Sequence, residues 1–362
     1  MATGPAATIQ ESQDCDGTVG NMRLLFVGGL GTGSTTLHRL RAFERIPGLS
    51  VTTLDTGDRV GRATLLDRVA HRLRRPIDWR HVNTRLLTMA AETRPDVVFF
   101  DNIKVTRRET LRRLRNDHGA QPVFYTPDNV IAPHNSSRQL EASWKEWSVV
   151  FTTKHFNAAD FTARGVRVTH VIGNAFDPEV HRPLEPQDVG PDYEKFDAAF
   201  AGVAEGERKQ AINRLASSGL RVIVFGDVPT WGEMHPNVCF RPVVWGLDYS
   251  RAMHMAKVSL CFLRKINLDT VTTRSFEIPA MARPMVAERT AHHDAAFTDG
   301  LEYLGFSSHD ELVSTVVPLI ADEARRRAIA CAARERCLLS GYSTVDRARE
   351  MVHVMRSALV RG

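Results

Sequence analysis

Short apolar runs alternate with amphipathic stretches along this 362-residue chain, and this alternation constrains its fold more than any other feature. Continuous apolar runs are typical of buried parallel strands, and a 3.6-residue period is typical of the helices that connect them. The predicted strands are residues 24–27, 50–54, 97–100, 123–125, 149–151 and 168–172, then 198–200, 222–225, 258–262 and 285–287. The predicted helices include 36–45, 107–117, 157–164, 208–217 and 275–281, with two or three more between 310 and 360. The pattern predicts an α/β protein with two Rossmann-like, doubly wound domains facing a cleft.

A break in the pattern divides the two halves. Residues 174–195 contain four prolines and six acidic residues without a helical period, which indicates a linker. We therefore expect an N-terminal domain over 22–173 and a C-terminal domain over 196–340. Residues 1–21 are predicted to be a disordered tail, and 341–362 a C-terminal helix able to pack back on the N-terminal domain.

Composition excludes several classes of protein. Hydrophobic residues make up 43% and charged residues 25% of the chain, a globular balance that excludes a mostly disordered protein. No run approaches the roughly 18 apolar residues of a membrane span. The five cysteines lack C-x-x-C spacing, and the first 21 residues lack the basic and apolar regions of a secretion signal. A cytoplasmic location is expected.

Positive charge is concentrated in residues 59–115, which carry 15 Lys and Arg residues against 6 Asp and Glu. Such a segment can attract phosphate, an acidic polymer or an anionic membrane surface, and in the last case the protein would be peripheral at the inner membrane face. A solvated helix surface explains the same charge equally well. Nucleic acid is not expected as a partner, because the arginines are not interleaved with aromatic residues in a recognisable reader motif.

A glycine-rich turn follows the first predicted strand, over residues 28–35. Glycines at a strand-to-helix turn let a ligand approach backbone amides at the helix start. The turn nearly matches the phosphate-binding G-x-x-x-x-G-K-[ST] motif, but Ser34 replaces its lysine, which makes a P-loop nucleotidase unfavourable. We interpret Gly29, Gly31, Gly33 and Ser34 as a loop facing the substrate of a two-domain enzyme. Tight strand–helix packing is the alternative.

Two carboxylates follow later strands of the same domain. Asp101 comes directly after 97–100, and Asp128 comes shortly after 123–125. Carboxylates at the carboxyl ends of parallel strands can face a cleft and serve as a general base or bind sugar hydroxyls. Helix capping is an equally good reading of each residue taken singly.

Residues 272–280 form the most informative segment of the second half. Thr272 and Thr273 are predicted to cap a helix and leave amides free for a diphosphate. The guanidinium of Arg274 can pair with phosphate through two N–H groups, and Glu277, one turn later, can accept hydrogen bonds from ribose. The alternative is an ordinary capped helix with an Arg–Glu surface pair.

Two blocks of the chain, residues 150–177 and 273–290, resemble the CgeB-like (spore maturation protein type) glycosyltransferases. The resemblance extends over most of 23–355 and implies a GT-B fold within the group 1 glycosyltransferase superfamily. The chain departs from the family at Ala282 and Arg283, where glycine is usual, so Arg283 is expected to fill space or add charge near the donor.

The resemblance implies that a nucleotide-sugar donor binds mainly to the C-terminal domain and an acceptor to the N-terminal domain. The loop at residues 29–34 would face that acceptor, and the basic segment 59–115 would attract it if it is anionic. Matching positions place Arg274 and Glu277 in the donor site, with Gly202 and Arg208 in a phosphate-side loop. No D-x-D motif follows a predicted strand, and the histidines lack the spacing of metal ligands. No metal site and no cofactor are therefore expected, with the nucleotide sugar as substrate.

The sequence thus predicts a metal-independent, hexosyltransferase-like enzyme that moves a sugar from a nucleotide-sugar donor to an acceptor hydroxyl. Asp128 is the first candidate for the catalytic base and Asp101 the second. Two alternatives stay open: a nucleotide-sugar epimerase of the same architecture, and a non-catalytic scaffold that binds a sugar nucleotide.

Overall fold

The computed structural model describes residues 21–57 and 65–360. The predicted disordered tail, residues 1–21, lies outside the described residues except for Asn21. The described chain forms two parallel β-sheets of six strands each, both flanked by helices, so the predicted α/β architecture is confirmed.

The first sheet has the strand order β2-β1-β3-β4-β5-β6. Its strands are β1 (Met22–Gly28), β2 (Leu49–Asp55), β3 (Val97–Asp101), β4 (Gln121–Thr126), β5 (Val149–Thr152) and β6 (Val168–Val171). The helices beside them are α1 (Thr35–Glu44), α2 (Leu65–Arg72), α3 (Val82–Thr93), α4 (Arg108–His118), α5 (Arg138–Glu141) and α6 (Ala158–Ala163). Every residue of β3 and β5 is buried, as expected for strands covered on both faces.

The second sheet has the order β12-β11-β10-β7-β8-β9. Its strands are β7 (Phe196–Ala201), β8 (Val222–Phe225), β9 (Val238–Arg241), β10 (Ala256–Cys261), β11 (Met285–Glu288) and β12 (Leu304–Phe306). The remaining helices are α7 (Pro186–Val189), α8 (Arg208–Ser217), α9 (Val228–Trp231), α10 (Leu247–His254), α11 (Arg274–Ala280), α12 (Ala291–Ala296), α13 (His309–Ala321), α14 (Glu323–Leu339) and α15 (Thr344–Val360). Strands β9 and β12 are the two edges of this sheet and were not predicted.

The chain returns to the first sheet at its C-terminal end. Helix α15 packs on α1, and its buried residues Met351, Val352 and Met355 join the apolar core beneath the first sheet. His170 Nε2 of β6 and Glu350 Oε1 of α15 are within hydrogen-bonding distance, at 2.8 Å, on the same side.

The strand order reverses next to β1 in the first sheet and next to β7 in the second. Ligands of open α/β sheets bind outside the carboxyl ends of the strands at such reversals. The turns after β1 and β7 are therefore the places where the fold itself predicts a site.

Candidate functional site

The turn after β1, residues 28–34, contacts the second domain. A Cβ atom on Gly28 would lie 2.5 Å from Thr36 Cγ2, so glycine is needed where α1 packs on the strand. Gly33 has a φ of +73°, and a Cβ there would lie 2.6 Å from Trp245 Cβ. Glycine is thus required at both ends of this turn, for helix packing at one and for interdomain approach at the other.

Ser34 caps α1, because its Oγ accepts a hydrogen bond from the Leu37 amide at 3.1 Å. Its hydroxyl donates to the Gly29 carbonyl at 3.2 Å, while Gly31 is exposed. Of the four predicted acceptor-loop residues, Gly33 and Ser34 line a cavity between the domains.

Asp101 is a buried structural carboxylate. Its Oδ2 accepts a hydrogen bond from Arg39 Nε at 2.8 Å and its Oδ1 one from Arg39 Nη2 at 3.4 Å, and its side chain is only 2% exposed. The Arg39 guanidinium lies 3.7 Å above the ring of Tyr125. Both oxygens of Asp101 are engaged by one arginine, so the geometry does not favour it as a catalytic base.

Asp128 lies at the domain boundary, with a quarter of its side chain exposed. Its Oδ2 accepts a hydrogen bond from Asn102 Nδ2 at 3.0 Å, and Lys104 Nζ is 3.6 Å away. The neighbouring Asn129 amide donates to Asn267 Oδ1 of the second domain at 2.9 Å. Asp128 is therefore charge-balanced, partly accessible and next to the other domain.

Arg274 begins α11, and three groups orient its side chain. Nη1 donates to Glu277 Oε2 at 3.0 Å, Nε donates to the Ala201 carbonyl at 3.3 Å, and the guanidinium lies 4.7 Å above the Tyr249 ring. Burial opposes the charge, but Tyr249 and Glu277 outweigh it and raise the pKa of Arg274. One third of the side chain remains exposed, toward the cavity.

The predicted capping of α11 by threonine hydroxyls is wrong. The Thr273 side chain makes no capping hydrogen bond, and the Thr272 amide donates to Ser275 Oγ at 3.1 Å. Helix α11 has only seven residues and contains Pro279, so its dipole is weak. Positive charge at this site comes from the Arg274 side chain.

Glu277 is 3% exposed, and each of its oxygens faces a side chain of the protein. Oε2 accepts from Arg274, and Oε1 lies 3.7 Å from His181 Nε2. The His181 ring is 5.5 Å from the ring of His38 in α1. Burial is the main cause that lowers the pKa of both histidines, which favours their neutral forms. The geometry suits Glu277 for holding Arg274 better than for accepting ribose hydroxyls.

His38 and His181 were missed in the sequence because each looks like an isolated histidine. The one available signal was position: His38 lies one turn into the helix after the glycine-rich turn. Together with Arg274 they line a cavity of about 290 Å³ between the domains. Its walls are Gly33, Ser34, Thr35, His38, His181, Val244, Trp245, Gly246, Tyr249, Arg274 and Glu277.

The turn after β7 has its charged side chain turned inward. Arg208 is 7% exposed and donates to the carbonyls of Val203 at 3.2 Å and Leu263 at 3.0 Å. A Cβ on Gly226 would lie 2.5 Å from the Gly202 carbonyl oxygen. The Gly202 carbonyl therefore packs against Gly226 inside the turn. Both terminal nitrogens of Arg208 already donate to carbonyls, so Arg208 does not offer a pair of free N–H groups to phosphate.

A larger cavity of about 520 Å³ lies at the carboxyl edge of the second sheet. Lys265, Asp269, Glu288, Arg289, Ser307 and His309 contribute its polar wall. Asp269 also pairs with Lys154 of the first domain at 2.5 Å, and both side chains are 6% exposed. Beside this pair, the rings of His155 and His292 stack across the domains at 4.4 Å. None of these four residues was singled out from the sequence as part of an interdomain contact.

Arg283 does not reach either cavity wall. It is 4% exposed and donates to Glu194 Oε1 of the linker at 2.9 Å and to the Ala256 carbonyl. Ala282 has a φ of +53°, a left-handed conformation that favours glycine. Arg283 thus contacts the linker instead of adding the charge that was expected near the donor.

The basic segment 59–115 is partly neutralised within the first domain; its residues 59–64 lie outside the described part of the chain. Arg108, Arg112 and Arg115 of α4 converge on Glu146, at 2.7, 3.0 and 3.8 Å. Glu146 is 8% exposed at its side chain, so these arginines hold a buried carboxylate. A solvated, structural surface explains α4.

Within residues 21–57 and 65–360, no helix is long and apolar enough to span a membrane. The same residues contain no group of three or more His, Cys, Asp or Glu side chains arranged to bind a metal ion.

Residues 208–353 match the family model described as glycosyl transferase-like. No curated protein matches the chain.

Three solved structures illustrate the fold. HepE of Anabaena, in complex with UDP-glucose, is 15% identical with a TM-score of 0.61, over 93% of this chain and 100% of that one. Sucrose-phosphate synthase of Thermosynechococcus elongatus is 12% identical with a TM-score of 0.64, over 94% and 100%. UDP-GlcNAc 2-epimerase of Neisseria meningitidis, bound to UDP-GlcNAc, is 13% identical with a TM-score of 0.56, over 94% and 100%. The chain therefore has the two-domain GT-B fold, with a glycosyl transferase-like region in its second half.

Proposed function

We propose that the protein is a glycosyltransferase that moves a sugar from a nucleotide-sugar donor to an acceptor hydroxyl. One observation carries the proposal: a glycine-rich turn of the first domain and an oriented arginine of the second line the same interdomain cavity. The match of residues 208–353 to the glycosyl transferase-like family supports it. Because HepE binds UDP-glucose and UDP, uridine nucleotides are the first donors to test.

Arg274 is the proposed partner of the donor diphosphate. Its guanidinium is held by Glu277 and by the ring of Tyr249, so little side-chain freedom is lost when phosphate binds. The negative charge that develops on the leaving diphosphate would be stabilised by a group already in position. Glu277 acts in this proposal as a positioning residue.

Asp128 is the proposed base or sugar-orienting group, because it is partly exposed beside the second domain. Metal independence is a further part of the proposal, motivated by the arginine proposed for the diphosphate and by the absence of a D-x-D motif after any predicted strand. Turnover should therefore survive excess chelator; loss with chelator and recovery with magnesium would contradict it. The hexosyl preference and the CgeB-like subtype also remain proposals, as does the cytoplasmic location.

The test is calorimetric titration of UDP, UDP-glucose and UDP-GlcNAc into wild type and variants. Arg274→Ala should weaken nucleotide binding and turnover by about 2–4 kcal/mol, because a preorganised donor is lost. Arg274→Lys keeps the positive charge but loses the paired N–H groups of the guanidinium, so its affinity and turnover should lie between those of wild type and Arg274→Ala. The matched control is Arg214→Ala, because Arg214 forms an exposed ion pair with Asp310 on the outer helices, at 2.9 Å. Equal affinities in all four folded proteins would place the donor site elsewhere.

A nucleotide-sugar epimerase is the second candidate, favoured by His38, His181 and the Glu277 carboxylate, which line the same interdomain cavity. An epimerase converts its donor without an acceptor, whereas a transferase releases nucleoside diphosphate only with an acceptor or by slow hydrolysis. Product analysis with and without acceptor separates the two. Donor binding with neither reaction would indicate the non-catalytic scaffold.

A further inference from the structure

Helix α2 presents an apolar face on the first domain that no other element covers among residues 21–57 and 65–360. Leu65, Leu66 and Val69 of α2 are 76%, 55% and 47% exposed, and Leu73, which directly follows the helix, is 52% exposed. At 100° per residue these four positions fall on one side of the helix. Ala70 is the one residue of α2 that is buried against the domain. A cluster of large aliphatic side chains this exposed indicates a surface that is covered in the working state of the protein.

The charges beside this face have one predominant sign. Residues 65–80 contain five arginines and two aspartates. Arg68, Arg72 and Arg75 are exposed, whereas Arg108 and Arg112 of α4, which are exposed as well, are paired with Glu146. Trp79 is 47% exposed at the end of the same segment. Aliphatic residues on one helix face, arginines at its flank and a tryptophan nearby are the combination that binds the headgroup region of an anionic bilayer.

The segment is attached at the cleft edge of the first sheet. The Arg138 amide donates to the Arg74 carbonyl at 2.8 Å, and Gln139 Nε2 donates to the Pro76 carbonyl at 3.3 Å. Helix α5, which supplies both donors, follows the carboxyl end of β4 and therefore Asp128. A surface that binds α2 would lie beside the same sheet edge that carries the acceptor-side turns.

We propose that α2 and residues 73–80 dock the protein on an anionic membrane surface. The aliphatic face enters the boundary between headgroups and acyl chains, and the flanking arginines pair with lipid phosphates. This proposal is independent of sugar transfer, because docking is measured without turnover.

The experiment is co-sedimentation of the full chain with vesicles of equimolar phosphatidylcholine and phosphatidylglycerol, compared with phosphatidylcholine alone. Wild type should bind the anionic vesicles selectively and lose binding as salt rises. Leu66→Gln combined with Val69→Gln should lower the partition coefficient by about tenfold or more, through lost apolar transfer. Arg68→Gln combined with Arg72→Gln should lower it by about tenfold as well.

The matched control is Leu338→Gln combined with Leu339→Gln, because these α14 residues are 54% and 79% exposed. That variant should bind as wild type does. Wild type that fails to bind, or that binds neutral vesicles equally, overturns the proposal, as does an apolar α2 variant with full binding. A dimer abolished by the α2 substitutions would assign the face to a second copy of the chain and also overturn it. If the double variant does not fold, Leu65→Gln replaces it in the same comparison.

Discussion

The turns after β1 and β7 occupy equivalent positions in their domains, yet their surroundings differ. In the first turn, Gly33 lies against Trp245 across the cleft and lines a cavity. The Arg39–Asp101 ion pair packs next to this turn. In the second turn Arg208 turns inward to two carbonyls. The shared topology therefore predicts where a ligand can bind in each domain. Whether the second turn offers positive charge to that ligand depends on the direction of the Arg208 side chain.

The largest expected effect is a loss of stability when the Arg39–Asp101 ion pair next to the first turn is broken. Asp101→Ala leaves the buried Arg39 charge unpaired and should lower the free energy of unfolding by about 3–5 kcal/mol. Asp128→Ala is the control, because its carboxylate is partly exposed and should cost about 1 kcal/mol or less while turnover falls. Urea titrations of both variants test this. A stable Asp101→Ala protein without turnover would restore Asp101 as a candidate base.

The second turn can be tested through Arg208. Arg208→Ala leaves the Val203 and Leu263 carbonyls without their donor and should reduce the free energy of unfolding by about 2–3 kcal/mol. Nucleotide affinity, measured where the variant is folded, should change little. A variant with wild-type stability and weak nucleotide binding would instead show that Arg208 leaves its carbonyls to bind phosphate.

A glycine from each turn separates backbone strain from interdomain contact. Gly33 and Gly206 both have positive φ, at +73° and +58°, but a Cβ at Gly206 would meet nothing within 4 Å. Gly206→Ala should cost about 1 kcal/mol through backbone strain alone. Gly33→Ala should cost about 1 kcal/mol more, because its Cβ meets Trp245, and should also weaken donor binding. Equal melting temperatures and affinities for the two variants would remove the interdomain role of Gly33.

The smallest expected effect is a pH dependence of stability that is specific to the first turn, because His38 lies in α1, the helix that follows this turn. Burial is the main cause that lowers the pKa of His38 from its ordinary value near 6.5, with Asp177 and Glu277 opposing it. A depressed pKa means that the unfolded chain binds the proton more readily, so stability is lost as pH falls below about 6.5. His38→Gln should make the decline of melting temperature with acidification shallower. An unchanged slope would show that other groups govern it.

Much of the fold was predictable because burial leaves a local signature. Strands covered on both faces read as unbroken apolar runs, and all ten predicted strands are present. The two missed strands, β9 and β12, are short sheet edges of four and three residues, where fewer apolar side chains are required. The departure from the family at Ala282 and Arg283 was also visible, but the pairing of Arg283 with Glu194 was not.

The sequence by itself determined the two α/β domains, the glycine-rich turn and the presence of Arg274 and Glu277 one helical turn apart. Local periodicity and backbone freedom carry that information, because both act between near neighbours. Only the tertiary structure decided that His38 packs near His181, that Arg208 turns inward, and that Arg39 binds both oxygens of Asp101. Those outcomes depend on how distant segments pack and on which buried charges must be paired, and no short pattern in the chain encodes either.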